Sequence, residues 1–291
     1  MAGNFKVHAF SVCHLNDVTE DLDEVLTQIQ ADALEDRIKT IGQVQVRIEH
    51  IQQDDDGNWK LDFVKFRDVH GPGKAARDTP VTGFEFDEGE VFCEETAAIY
   101  FPATGYILIQ YNHHGVRAAA VEEYLSIYTA DPDNQYTLRP KYDEDAGRRF
   151  DNRAATKKIT LAIDPRLLNQ GDRDANTGLS QAIDLGNRSN ASKVEITISA
   201  GRGRDRSLNR FVDRTITAAR RLVNDNPDSV SRLDVGVVDN LDSKMQVLDL
   251  IAHRLMRNFT DINVGDDKRW PRESRYQAIA RAARGWRRVL V

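Results

Sequence analysis

Short runs of alternating apolar and polar residues, separated by turn sequences, recur through the first 111 residues and restrict this part of the chain to antiparallel sheet. In Phe5 to Cys13, the residues Val7, Ala9, Ser11 and Cys13 share one face. Val44, Val46 and Ile48 alternate with Gln43, Gln45, Arg47 and Glu49, and Asp54-Asp-Asp-Gly57-Asn58 then turns the chain into Trp59, Leu61 and Phe63, which predicts a hairpin. A second hairpin joins Glu95–Phe101 to Tyr106–Tyr111 through Pro102-Ala-Thr-Gly105. Between them His70–Pro80 is too rich in breakers to be regular and is predicted as a surface loop. Two helices complete the part. One runs from Thr19 to about Lys39, with Glu20, Asp21, Asp23 and Glu24 at its positive dipole end and Leu22, Val25, Leu26, Ile29 and Ala33 at helical spacing. The other covers Gly115–Tyr128, with Val116, Ala120, Tyr124 and Leu125 inward.

Charge divides the chain in two. The net charge of −6 combines −15 over residues 1–138, which hold 10 Lys+Arg against 25 Asp+Glu, with +9 over residues 139–291, which hold 30 against 21. Thr129 to Arg153 is polar and turn-rich, so the boundary is expected near residue 150. The fold class is therefore α+β: an acidic, antiparallel, β-rich domain over residues 1–150, followed by a basic α/β domain over residues 151–291. In the second, strands are expected at Lys158–Ile163, Lys193–Ser199 and Leu233–Val238, with a short one near Phe259–Val264. Helices are expected over about Ser207–Asn224, Gln246–Arg257 and Glu273–Arg288. Such an asymmetry fits a polyanion-binding half joined to a half that meets another partner; alternatively, the two charge-opposed parts attract each other.

Several classes are excluded or disfavoured. Cys13 and Cys93 are the only cysteines and lie in apolar runs, which rules out a disulfide framework and a cysteine-rich zinc site and predicts buried thiols. No run approaches the roughly 18–20 apolar residues of a membrane helix, and Met1-Ala-Gly-Asn-Phe-Lys has no signal-peptide character, so a cytoplasmic protein without membrane insertion is expected. His113-His114 has no acids at ligand spacing, Glu94-Glu95 and Glu122-Glu123 diverge, and His253 sits within the apolar pattern Leu248, Leu250, Ile251, Leu255. Neither metal, cofactor nor catalytic residues are assigned. Asp213 with Glu195 is the one carboxylate arrangement that would suit the alternative of a metal-dependent nuclease or nucleotide-processing enzyme. A further alternative is an acidic, phage-encoded inhibitor that mimics DNA.

Arginine is the strongest local signal. Ser199 to Arg210 leaves a strand and opens a helix, with glycines at 201 and 203 and with Arg202, Arg204, Arg206 and Arg210. Backbone N–H groups and guanidinium forks at such a place suit phosphate, although the spacing matches no known nucleotide-binding loop. Arg206, Arg210, Arg214 and Arg221 continue at helical spacing. The C-terminus repeats the theme with Lys268, Arg269, Arg272, Arg275, Arg281, Arg284, Arg287 and Arg288 among Trp270, Tyr276 and Trp286. Trp286 with Ile279, Ala282 and Ala283 reads as a core face; the arginines read as the binding side. The expected contacts are thus Arg202, Arg204, Arg206, Arg210, Arg214, Arg269, Arg272, Arg275, Arg281 and Arg284 on nucleic acid, DNA before RNA. The acidic half is then left for self-association as a homodimer or for a protein partner.

The order of elements around Gly83-Phe-Glu-Phe-Asp-Glu-Gly-Glu90, Tyr106 to Val116, Glu122-Glu-Tyr-Leu125 and Lys157-Lys-Ile-Thr-Leu-Ala-Ile163 resembles uncharacterised bacterial proteins associated with phage defence. More loosely, it is similar to phage-exclusion proteins of the RexA kind. The resemblance implies a dimeric, non-enzymatic, sequence-tolerant DNA binder.

Overall fold

The computed structural model describes residues 4–14, 22–68, 71–129, 135–168, 178–201, 206–226, 229–240 and 243–290. It is α+β and divides into two compact units, Met1–Leu138 with Arg257–Val291, and Arg139–Met256.

In the first unit the chain forms β1 (Phe5–His14), α1 (Asp23–Ala31), β2 (Lys39–Ile41), β3 (Val44–Gln53), β4 (Trp59–Arg67), β5 (Lys74–Ala76), β6 (Thr79–Thr82), β7 (Phe92–Phe101), β8 (Tyr106–Tyr111), α2 (Ala118–Ile127) and β9 (Tyr136–Pro140). One sheet carries the strands in the order β1-β8-β7-β4-β3-β2, with β9 also on β1. Both expected hairpins form. At the β3–β4 turn the Asp54 carboxylate accepts from Asn58 N at 2.9 Å and Asp56 N at 3.1 Å, while Gly57 takes φ +79°, a conformation that glycine enters without a Cβ clash. Within the segment His70–Pro80, expected as irregular loop, residues from Lys74 onward form, with Val81 and Thr82, the small exposed hairpin β5–β6; His70 lies outside the described residues.

One sheet face buries Val46, Ile48, Leu61, Phe63 and Ile107 against Leu26 and Ile29 of α1 and Val121, Tyr124 and Leu125 of α2. The Tyr124 hydroxyl ties this layer together, donating to Arg37 O at 2.7 Å and accepting from Ile48 N at 3.2 Å. Helix α1 is shorter than expected. The Arg37 guanidinium donates to Gln30 O at 3.0 Å and Asp32 O at 2.9 Å, capping the exposed carbonyls of its end and turning the chain into β2. Thr19, its expected start, is outside the described residues.

The second unit holds α3 (Glu144–Asp151), β10 (Ala155–Ile163), α4 (Gly178–Arg188), β11 (Val194–Ser199), α5 (Arg210–Asp225), β12 (Val230–Val238) and β13 (Gln246–Asp249). Its strands pair antiparallel in the order β11-β10-β12-β13. Val212, Ile216, Ala219 and Leu222 of α5, with Phe150 of α3 and Ile183 of α4, pack on Ile159, Leu161, Val235 and Val237. The helix expected over 246–257 is instead β13 and a turn. Val235 and Val237 of β12 offer a ladder to Leu248 and Gln246, and the Asp249 carboxylate then accepts from Ile251 N at 2.9 Å and Ala252 N at 3.0 Å, ending the strand. His253 accordingly leaves the apolar core and pairs with Asp143, the N-cap of α3, at 2.6 Å.

The chain then returns to the first unit as β14 (Met256–Phe259), an edge strand beside β1 that completes eight strands, and α6 (Arg272–Gly285). This differs from two consecutive domains meeting at residue 150. By composition the first unit carries 19 basic and 29 acidic residues, net −10, and the second 21 and 17, net +4. Much of the expected polarity between the halves is therefore neutralised inside one unit. Among the described residues no helix is long and apolar enough to cross a membrane.

Candidate functional site

The arginine loop leaves β11 at its C-terminal end and enters α5. Its beginning and end are held against the start of β10: Ala200 N donates to Lys157 O at 2.9 Å and Leu208 N to Thr156 O at 2.8 Å. Gly201 takes φ +77°, and a Cβ there would lie 3.8 Å from Arg206 Nη1, so the Arg206 guanidinium rests over the loop backbone. Lys157 Nζ donates to Arg206 O. Lys158 stands opposite Ser199 in the β10–β11 ladder. Arg214 follows on α5 and is exposed, as is Arg206. Among the described residues of this cluster Asp213 is an acid, and it accepts from Arg153 Nη2 at 3.0 Å. Arg153, Lys157, Arg206 and Arg214 therefore lie near one end of the second unit's sheet, whereas Lys158, next to Ile159 that packs under α5, faces the other side of the sheet. Arg202 and Arg204 lie outside the described residues, as does the Arg210 side chain. Because α5 begins at Arg210, Arg206 belongs to the loop and not to a helical arginine ladder.

The C-terminal arginines are placed differently. Asp62 lies between Leu61 and Phe63 on β4 and so faces the side of the sheet opposite α1 and α2; it is fully buried. Arg275 of α6, 2 % exposed, grips it in a fork, Nη1 to Oδ1 at 2.6 Å and Nη2 to Oδ2 at 2.8 Å. Arg272 adds Nε to Asp62 Oδ2 at 2.8 Å. Arg275 Nη2 also donates to Glu95 Oε1 at 3.1 Å, and Arg269 holds both Glu95 oxygens, at 2.5 and 3.1 Å. The expectation that Arg275 contacts nucleic acid is thus corrected: a guanidinium removed from water and saturated by two carboxylates cannot reach a phosphate. Arg269 and Arg272 are committed to the same carboxylates. Arg281 pairs with Asp261 at 2.7 Å and stacks over Phe259 at 4.6 Å, whereas Arg284 is exposed. The aromatics serve packing: Trp270 meets Phe5 edge-on at 5.4 Å, and the buried Tyr276 lies 3.1 Å from His50 Nδ1.

Glu195 and Asp213 do not converge. Glu195 stands opposite Ala162 near the far end of β10 and pairs with Lys193 at 3.4 Å, while Asp213 is bound by Arg153, just before β10 begins. At about 3.3 Å per residue, Ala155 and Ala162 are roughly 23 Å apart, too far for a shared cation. Among the described residues no group of three His, Cys, Asp or Glu side chains is placed to hold a metal ion. Cys13 is buried as expected, but Cys93 is exposed, at the rim of a cleft in the first unit, and partial burial raises its thiol pKa.

The chain matches, over residues 14–282, a family of unknown function, DUF6731, and belongs to it. No curated protein matches.

Proposed function

We propose that this member of DUF6731 binds nucleic acid without sequence preference, through phosphate contacts at the basic end of its second unit. The observation that supports this reading is that Arg153, Lys157, Arg206 and Arg214 lie near the place where β11 passes into α5, with Arg206 and Arg214 exposed and carrying no ion pair among the described residues. Exposed cations on a sheet end position a polyphosphate backbone but read no bases. Arg202, Arg204 and the Arg210 side chain lie outside the described residues and enter the proposal by their sequence alone. A homodimer would double the number of phosphate contacts, and the resemblance to phage-exclusion proteins extends the proposal to anti-phage defence in the cytoplasm.

The test is a fluorescence-anisotropy titration of full-length protein with labelled duplex DNA and RNA at several salt concentrations. Log affinity should fall linearly with log salt, by about 0.9 for each duplex-DNA phosphate contacted. Several DNA sequences of equal length should bind within about threefold of one another, because phosphate contacts carry no base information. Absence of binding near 50 mM salt, or a salt-independent affinity, overturns the proposal. Incubation with Mg²⁺ or Mn²⁺ should leave the DNA intact; cleavage lost in Asp213→Ala or Glu195→Gln would favour the nuclease reading instead.

A further inference from the structure

The first unit contains a second feature that polyanion binding does not use. On the sheet face that α6 covers in part, a cleft of about 630 Å³ opens between α6 and the segment joining β6 to β7. Val64 and Phe66 of β4 line it on the sheet side, and Phe86 and Val91 line the opposing segment. That segment is exposed, with an aromatic cluster in which Phe84 and Phe86 meet Phe92 edge-on at 5.5 and 4.6 Å. Arg272 lines the cleft from the first turn of α6. The volume falls in the range of sites for small organic ligands, and the lining sets apolar surface beside six charged side chains, Arg47, Glu49, Glu90, Glu95, Arg269 and Arg272.

On the α6 side three guanidiniums share two hydrogen-bonded carboxylates, with Asp267 acting on Arg269 at longer range and Glu273 in the first turn of α6. Asp62 and Glu95 supply two negative charges to Arg269, Arg272 and Arg275. Arg47 and Glu49 neutralise each other at 2.6 Å, with the Arg47 guanidinium stacked over Phe66 at 5.1 Å. The guanidinium left with open donors is that of Arg272. Both Asp62 oxygens are already taken by the Arg275 fork, and Arg272 gives this carboxylate only its Nε, so its two Nη groups have no partner among the described residues. Its side chain is 41 % exposed, yet anchored to a carboxylate that is fully buried. On the opposite wall, Glu90 accepts from Asp87 N at 3.1 Å, within its own turn. A guanidinium whose stem is fixed and whose outer edge is open is preorganised for a planar two-oxygen acceptor.

We infer that this cleft binds a small organic carboxylate with an aromatic or other flat apolar body. The two carboxylate oxygens accept from the Nη groups of Arg272, and the body packs between Phe66 and Val64 on one side and Phe86 and Val91 on the other.

The test is calorimetric titration of full-length protein with 2-naphthoate, indole-3-acetate and benzoate, each beside its neutral primary amide. At least one acid should bind tenfold or more tightly than its amide. Arg272→Gln, whose shorter side chain keeps an N–H donor near the Nε position but loses the charge and the outer fork, should abolish that preference; because Arg275 still holds Asp62, it should melt close to the parent. Phe86→Ser, at an exposed position on the other wall, should weaken acid and amide by equal factors. The inference is overturned if no acid binds the parent protein, if acids and amides bind alike, or if Arg272→Gln, shown folded by its melting curve, keeps the preference.

Discussion

Replacing Asp62 by asparagine should destabilise the first unit severely although it changes one oxygen for a nitrogen. The fully buried carboxylate accepts three short hydrogen bonds, two from Arg275 and one from Arg272. An amide keeps one acceptor but presents N–H toward the donors at the other oxygen position, and the buried Arg275 retains only Glu95 at 3.1 Å as counter-charge. Removing one partner of a buried pair costs about 3–5 kcal/mol, because the remaining charge is left without water. All three tryptophans, Trp59, Trp270 and Trp286, lie in the first unit, so intrinsic fluorescence during urea unfolding reports on that unit. With a urea dependence of about 2 kcal/mol per molar, the midpoint should fall by roughly 1.5–2.5 M. The double variant Asp62→Leu with Arg275→Met, which removes both charges at once, should recover most of this loss, since buried ion pairs are replaceable by apolar groups of similar volume. A midpoint shift below about 0.3 M in the single variant, or no recovery in the double, would refute the reasoning that the cluster is a buried clamp between α6 and β4.

Tyr124→Phe should cost about 1–3 kcal/mol in the same assay, because Arg37 O and Ile48 N both lose their hydroxyl partner inside the α1–α2 layer; unchanged stability would show that water replaces it. His50 is held below its ordinary pKa of 6.5 by burial and then by Arg272. The folded unit therefore favours the neutral ring, and the stability this represents is present above pH 6.5 and is lost as pH falls through the ordinary value toward the folded one, where the unfolded chain binds the extra proton. His50→Gln should flatten the decline in urea midpoint between about pH 7.5 and 5.5; an equal decline in both proteins would exclude His50 as its source.

Both hairpins of the first unit were legible because period-two alternation and turn chemistry agree locally, as at Asp54 to Asn58. The 246–257 segment misled because Leu248, Ile251 and Leu255 mimic helical spacing, while the strand pairing that decides its structure comes from β12, elsewhere in the chain. The C-terminal arginines show the same limit in charge. Their sign was plain, but their partners, Asp62 and Glu95, are 213 and 180 residues from Arg275. One local signal pointed to them. Asp62 interrupts the apolar strand Leu61-Asp-Phe63-Val64, where a carboxylate needs a buried cation. Arg206 and Arg214, by contrast, were singled out by sequence and are exposed in the structure. The cleft was not legible, because its walls come from Phe66, Phe86 and Arg272, which no sequence spacing brings together.

The measurement that bears most directly on the proposed function is the salt dependence of duplex-DNA affinity for the parent protein, for Arg206→Ala with Arg214→Ala, and for Arg269→Ala with Arg281→Ala. If the basic end of the second unit holds the phosphates, the first double variant should bind more weakly and lose about 1.8 from the magnitude of the log–log slope. The second should keep the parental slope, since Arg269 and Arg281 are occupied by Glu95 and Asp261. A parental slope in the first variant together with a reduced slope in the second would contradict the account and return the nucleic-acid contact to the C-terminal arginines.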